Sequence, residues 1–198
     1  MGKRIAVSGI ENIPGDRHFV LVANHSSLFD IIAIISVIPD IVWFGHERLM
    51  KIPVFRRVLI LTGYIPMSKA TYRNTKRMIE SLVMASRKGN IAIFPEGTRT
   101  LDGKINDFYR GFIMLLRSSD VDVLPVTLNG FFRLKPKNRY IDFSAGLNMV
   151  IHKIIEKEEL VHKQDDKIAS EVKSVIESAV VYDSGQQSVN ELALTLKQ

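Results

Sequence analysis

At 198 residues the chain is long enough for one substantial core and too short to make two domains the expectation. Its 46% hydrophobic and 24% charged residues fit a globular protein, and the absence of cysteine excludes disulfides, thiolate metal sites and a cysteine nucleophile. A net charge of +6 calls for an anionic partner: nucleic acid, a phosphate-bearing metabolite or an acidic membrane surface.

Residues 1–12 lack the apolar core of a signal peptide. The longest apolar run, residues 31–38, falls well short of the roughly 18 residues that mark a membrane span. Residues 3–10 alternate weakly and predict an edge strand, with a turn at Asn12-Ile13-Pro14-Gly15. Residues 18–23, short, apolar and rich in valine, predict a buried strand, and 27–38 a helix ended by Pro39, with Ser26 or Ser27 as its N-cap. A second buried strand is expected at 41–44, a short helix with Pro53 in its first turn at 53–61, and a brief strand at 64–67. Met78, Ile79, Leu82, Val83 and Ser86 share one face of a helix over 71–88, stopped by Gly89. A strand at 90–94, a helix at 108–118 and a strand at 121–128 follow, then a strand or hairpin region at 140–155 and a polar-faced helix at 164–180. Residues 188–198 carry the faintest helical pattern. Strands alternating with helices predict an α/β fold, a mostly parallel mixed sheet flanked by helices in a single domain over 1–198. Its motif-bearing part spans about 5–130, with a strand and helix extension at 140–198.

Four short blocks stand at the predicted strand ends. The first, Asn24-His25-Ser26-Ser27-Leu28-Phe29-Asp30, sets a histidine and an aspartate five residues apart. In an unbroken helix two such residues point roughly 140° apart, so they meet only if the chain bends between them, as a strand-to-helix turn does. The pair would then lie at the carboxyl end of a strand, where open α/β sheets bind ligands. The second block, Gly63-Tyr64-Ile65-Pro66-Met67-Ser68-Lys69, delivers a cation. The third, Phe94-Pro95-Glu96-Gly97-Thr98-Arg99, joins a glycine for close backbone approach to a glutamate and to an arginine that can clamp an anion. The fourth, Val123-Leu124-Pro125-Val126, interrupts an apolar strand with proline. Each alone has an ordinary structural reading: a capped helix, a solvated ion pair, a strand end.

In this order the four blocks resemble those of the glycerolipid acyltransferases, enzymes that acylate glycerol 3-phosphate and lysophosphatidic acid. Gly45-His46-Glu47-Arg48-Leu49 and Phe108-Tyr109-Arg110-Gly111 look like that family's intervening segments. The chain departs from the family in carrying Lys69 where arginine is usual, which keeps the charge and loses the planar fork. It also lacks the one or two apolar helices that many members carry ahead of the histidine block.

The resemblance implies transfer of a fatty acyl group from acyl-CoA or acyl-carrier protein to a hydroxyl of lysophosphatidic acid, giving phosphatidic acid. Another lysophospholipid, glycerol 3-phosphate or a non-catalytic lipid-binding role are the alternatives. His25 is then the general base and Asp30 fixes its tautomer. Ser26 and Ser27 stand as alternative nucleophiles, and backbone amides near Gly97 are the expected oxyanion donors. Arg99, Lys69 and Arg110 would hold the acceptor's phosphate, Thr98 would line the same site, and Glu96 would hold the glycerol hydroxyls. No metal or cofactor is expected beyond the acyl donor as substrate. The expected location is cytoplasmic, peripheral at the inner face of an anionic membrane. The cations and apolar residues of 48–61 are the leading contact, and Arg133, Lys135, Lys137 and Arg139 a second basic run for that face or for the donor's phosphates. The chain has no recognisable nucleic-acid motif, so nucleic acid is not an expected partner.

Overall fold

The computed structural model describes residues 4–67, 72–136 and 140–182. In chain order these form β1 (Ile5–Ser8), β2 (Phe19–Ala23), α1 (Phe29–Val37), β3 (Ile41–His46), α2 (Pro53–Leu61), β4 (Ile65–Met67) and α3 (Tyr72–Ser86). There follow β5 (Asn90–Ile93), α4 (Gly111–Ser118), β6 (Asp122–Asn129), α5 (Phe131–Leu134), β7 (Leu147–Ile151), α6 (Lys157–Leu160) and α7 (Asp165–Glu177).

The strands make one seven-stranded sheet in the order β1-β7-β6-β2-β5-β3-β4. Five strands, from β6 to β4, run parallel, as helical crossovers between strands require. β7 pairs antiparallel with β6, and β1 runs parallel to β7, so the β1–β7 edge pair opposes the rest. The sheet is thus α/β and mostly parallel with a mixed edge, as the alternation of segments predicts. Of the strand or hairpin expected at 140–155, the structure shows the strand, β7. Residues 188–198 lie outside the described residues.

β2 is buried along its whole length, the pattern of a strand covered on both faces. Its alternation divides the two cores. Phe19, Leu21 and Ala23 face Ile31 and Ile34 of α1, with Trp43 and Leu59, while Val20 and Val22 face Leu82 of α3, Phe112 of α4 and Val172 of α7. Five β-branched residues in α1 lose side-chain freedom in a helix, yet burial of Ile31 and Ile34 and the stop at Pro39 hold it there.

Pro125 occupies a central strand, where proline is rare. Its carbonyl accepts from His152 N at 3.0 Å, so its missing N–H also faces β7. There the pairing slips by one residue, from Val126 opposite Ile151 to the Val123–Ile155 bridge, and no ladder donor is required of it.

Beyond β2 the chain stays tied to the sheet by Asn24, whose amide donates to Leu128 O at 3.0 Å and accepts from Leu128 N at 2.8 Å. Asn24→Ala removes both partners from a buried strand and should cost about 2 to 4 kcal/mol, read as a lowered urea midpoint. A loss below half a kilocalorie would contradict this bracing role.

Candidate active site

Between β2 and α1 the chain turns through residues 24–28, and that turn brings His25 and Asp30 together. His25 Nδ1 lies 2.9 Å from Asp30 Oδ2, which also accepts from Ser26 N at 2.7 Å and Ser27 N at 2.8 Å. Ser27 does take up a cap bond, its Oγ accepting from Phe29 N at 3.3 Å, while the backbone amides of Ser26 and Ser27 are taken up by Asp30. Asp30, from the first turn of α1, receives the free amides ahead of it, a carboxylate at the positive end of a helix. An ionised Asp30 can only accept, so Nδ1 carries the proton and Nε2 keeps its lone pair. Among the described residues Nε2 has no hydrogen-bond partner. The imidazole stacks on Phe94, with ring centres 4.0 Å apart and an 11° interplanar angle, and Phe94 in turn stacks on Trp43.

The loop after β5 grips the histidine's backbone from both sides. Glu96 Oε1 accepts from His25 N at 2.6 Å, and Thr100 N donates to His25 O at 2.9 Å. Glu96 Oε2 accepts from Asn106 N and Nδ2 at 2.8 and 2.9 Å. With both oxygens occupied and 1% of its surface exposed, Glu96 is not a ligand for glycerol hydroxyls but the brace of the loop. Burial pushes its carboxyl up to about 7, against the pull of the donors from Asn106 and His25.

His25, Phe94, Gly97, Thr98 and Arg99 line one side of a cleft of about 310 Å³, and Trp43, His46, Arg48, Leu49 and Ile52 line another. Arg99 is half-buried and has no ion-pair partner among the described residues. Burial lowers its pKa, and the charge of Asp30 opposes that shift. A desolvated cation without a counter-ion beside the dyad is a ready anion site. Gly97 has φ +65°, and a Cβ there would stand 3.1 Å from two ring carbons of Tyr109. Its own amide donates to Phe94 O at 3.1 Å, which leaves the oxyanion role expected near Gly97 to its neighbours. Among the described residues the amides of Thr98 and Arg99 carry no such bond and are the backbone donors left at the cleft. A larger groove of about 670 Å³, lined in part by Arg77, Glu80 and Lys88, has none of His25, Asp30 and Arg99, so size does not mark the site.

Two of the expected cations are engaged elsewhere. Arg110 caps α4 and pairs instead with Asp166 at 2.9 Å and Asp165 at 3.8 Å in the first turn of α7. Arg133 is bound to Asp142 at 2.9 Å. Lys69 lies outside the described residues, as do Lys137 and Arg139. The sequence reading also missed two site residues. Trp43 had a signal, as the one tryptophan of the chain in a buried strand, whereas nothing in the spacing marked Asn106.

Residues 4–129, more than half the chain, match the family model described as Acyltransferase. The chain belongs to the acyltransferase family. Among members of this acyltransferase family, a 1-acyl-sn-glycerol-3-phosphate acyltransferase of Borreliella burgdorferi is 34% identical over 156 residues, covering 76% of this chain and 60% of its own. A chloroplastic enzyme of the same name from Arabidopsis thaliana is 28% identical over 155 residues, covering 77% of this chain and 44% of its own. The crystal structure of the 1-acyl-sn-glycerophosphate acyltransferase from Thermotoga maritima superposes with a TM-score of 0.73 at 27% identity, over 89% of this chain and 70% of that one. The chain spans about half the length of the curated relatives it matches, 44% and 60% for these two.

The pKa of Glu96 yields a stability test. It stands at about 7 in the folded protein against an ordinary 4.5, so the folded state holds the proton more tightly than the unfolded chain. That contribution is present in acid and lost as pH rises from about 4.5 to about 7. Glu96→Gln should flatten the stability profile across this window by on the order of 3 kcal/mol, followed by urea melts at stepped pH. An unaltered slope would remove the burial-driven shift.

Proposed function

We propose that this chain transfers a fatty acyl group from an acyl thioester to the free hydroxyl of lysophosphatidic acid, forming phosphatidic acid. The observation that carries the reading is the His25–Asp30 pair, held with Nε2 unpaired in a cleft that also holds the unpaired Arg99. Likeness to the 1-acylglycerophosphate acyltransferases of Borreliella burgdorferi and Thermotoga maritima supports lysophosphatidic acid over other acceptors.

His25 Nε2 takes the proton of the acceptor hydroxyl as its oxygen attacks the thioester carbonyl carbon. The tetrahedral intermediate places its oxyanion toward the Thr98 and Arg99 amides. As it collapses the C–S bond breaks, the ester remains on the acceptor, and the departing thiolate takes the proton back from the imidazolium. Asp30 keeps its charge throughout and stabilises that imidazolium. Arg99 binds the acceptor's phosphate, with Lys69 as a second cation. The hydroxyls of Ser26 and Ser27 are not required by this scheme, since the acceptor's oxygen attacks the thioester directly. The donor is acyl-CoA or acyl-carrier protein, both of which present the same thioester. Because acceptor and product are lipids, the enzyme acts at the inner face of an anionic membrane, from the cytoplasmic side. No helix among the described residues is long and apolar enough to cross a bilayer.

His25→Ala should lower acyl transfer roughly 10²-fold to 10⁴-fold while the protein stays folded. Asp30→Asn, which weakens the tautomer's anchor, should be severely impaired as well. Near-normal turnover by the His25 variant in a radiolabelled transfer assay would sink the assignment. For Arg99→Ala the acceptor's KM should rise about ten-fold or more, the worth of a charge-assisted phosphate contact, with less change in the donor's. A response confined to donor kinetics would move Arg99 to the donor's site.

A further inference from the structure

Residues 72–89 carry the cations Arg73, Lys76, Arg77, Arg87 and Lys88 against a single acid, Glu80. Leu82 is fully buried and holds α3 against the sheet. Beside it Arg77, Glu80, Ser81, Met84, Ala85 and Lys88 follow one another at helical spacing and form one wall of the open groove of about 670 Å³. Val42, Gly63 and Ile65, from the β3–β4 edge of the sheet, supply the other. Lys76, Arg77, Arg87 and Lys88 are exposed, and among the described residues none has an ion-pair partner. Met84 stands between the cations with 56% of its surface exposed.

The groove backs onto the catalytic cleft. Side chains alternate across a strand, so Val42 lines the groove and Trp43 the cleft, while Tyr64 lines the cleft between Gly63 and Ile65 of the groove. β4 is the last strand of the sheet, so the two faces meet round its edge. α3 runs back from the end of β4 to the start of β5, and both strands are parallel to β3. Arg77 therefore lies nearer than Lys88 to the carboxyl ends of the strands, where His25 stands.

We propose that this groove docks an acidic acyl-carrier protein. One helix of the carrier lies along α3, its acids on Arg77 and Lys88 and its apolar side on Met84 and Ile65, and the thioester arm passes round the β4 edge to His25. The choice of partner rests on the acyl-transfer reading. Charge spacing favours the protein over coenzyme A, because Arg77 and Lys88 stand eleven residues apart, about 16 Å along a helix. The phosphates of a coenzyme's nucleotide crowd about one ribose and cannot meet both ends. Acidic side chains three turns apart on a helix can. The groove is also open along its length, whereas a small-molecule site encloses most of its ligand. A net charge of +6 draws an acidic partner in.

Acyl transfer to a water-soluble, short-chain lysophosphatidate, measured with acyl-carrier protein and with acyl-CoA as donors, tests the docking in the full chain. Arg77→Glu with Lys88→Glu should raise the KM for the carrier about tenfold or more, leaving kcat and the KM for acyl-CoA at parent values. Glu80→Lys, which removes the one acid of the stripe, should lower the carrier's KM several-fold, a gain that no loss of folding can imitate. Calorimetric titration with acyl-free carrier protein should rank the three proteins in the same order, with binding that weakens as salt rises. The proposal is overturned if the parent uses acyl-CoA but neither uses nor binds the carrier, or if both variants keep the parent's KM for the carrier. It is likewise overturned if charge reversal raises the KM for both donors alike, which would give the groove to the coenzyme's nucleotide. Should the parent transfer from neither donor, the acyl-transfer reading fails, and the titration still decides the docking.

Discussion

One carboxylate oxygen, Asp30 Oδ2, receives three N–H groups, from the His25 ring and from the amides of Ser26 and Ser27. A fully buried carboxylate is costly unless donors meet it, and here the turn supplies them all to Oδ2, while Oδ1 is buried with no hydrogen-bond partner among the described residues. The bond to the ring sets the tautomer, and the bonds to the two amides bend the chain from β2 into α1. They also place the negative charge at the amino end of α1, where the helix dipole favours it. The base cannot be oriented without the turn, nor the turn closed without the carboxylate. Catalytic geometry and local folding are thus one constraint in this chain.

The sheet supplies the rest. β2 lies between β5 and β6 although it precedes both, because the first crossovers run outward to β3 and β4 and the later ones return across it. That reversal places the carboxyl end of β2 beside that of β5, and so His25 beside Phe94 and Glu96, some 71 residues on. Both backbone groups of His25 are held by the loop after β5, and its ring is held by Phe94. The histidine and glutamate blocks, far apart in sequence, are two halves of one device. The cleft they border is walled in part by Arg48, Leu49 and Ile52, just ahead of α2.

How much of this could be read in advance varied with the range of the interaction. The helix Pro53–Leu61 was legible to its ends, since proline fixes the first turn, and the meeting of His25 with Asp30 followed from five-residue spacing across a bend. Strand order was not, because nothing local says which crossover returns. Glu96 read as a substrate ligand for the same reason. A carboxylate just past a strand end looks free until the fold delivers Asn106 and His25 to its two oxygens. Arg110 likewise looked available until α7 brought Asp165 and Asp166 against it. Pro125 in a central strand is explained only by the one-residue slip in the strand that joins it from the other end of the chain.

The orientation of the His25 ring by Asp30 is most directly tested by nitrogen-15 NMR of the labelled imidazole in the intact protein. In the neutral ring the proton should reside on Nδ1, with Nε2 unprotonated, and this preference should collapse in the Asp30→Asn variant. A neutral ring protonated on Nε2 in the parent protein, or a tautomer indifferent to residue 30, would contradict the account.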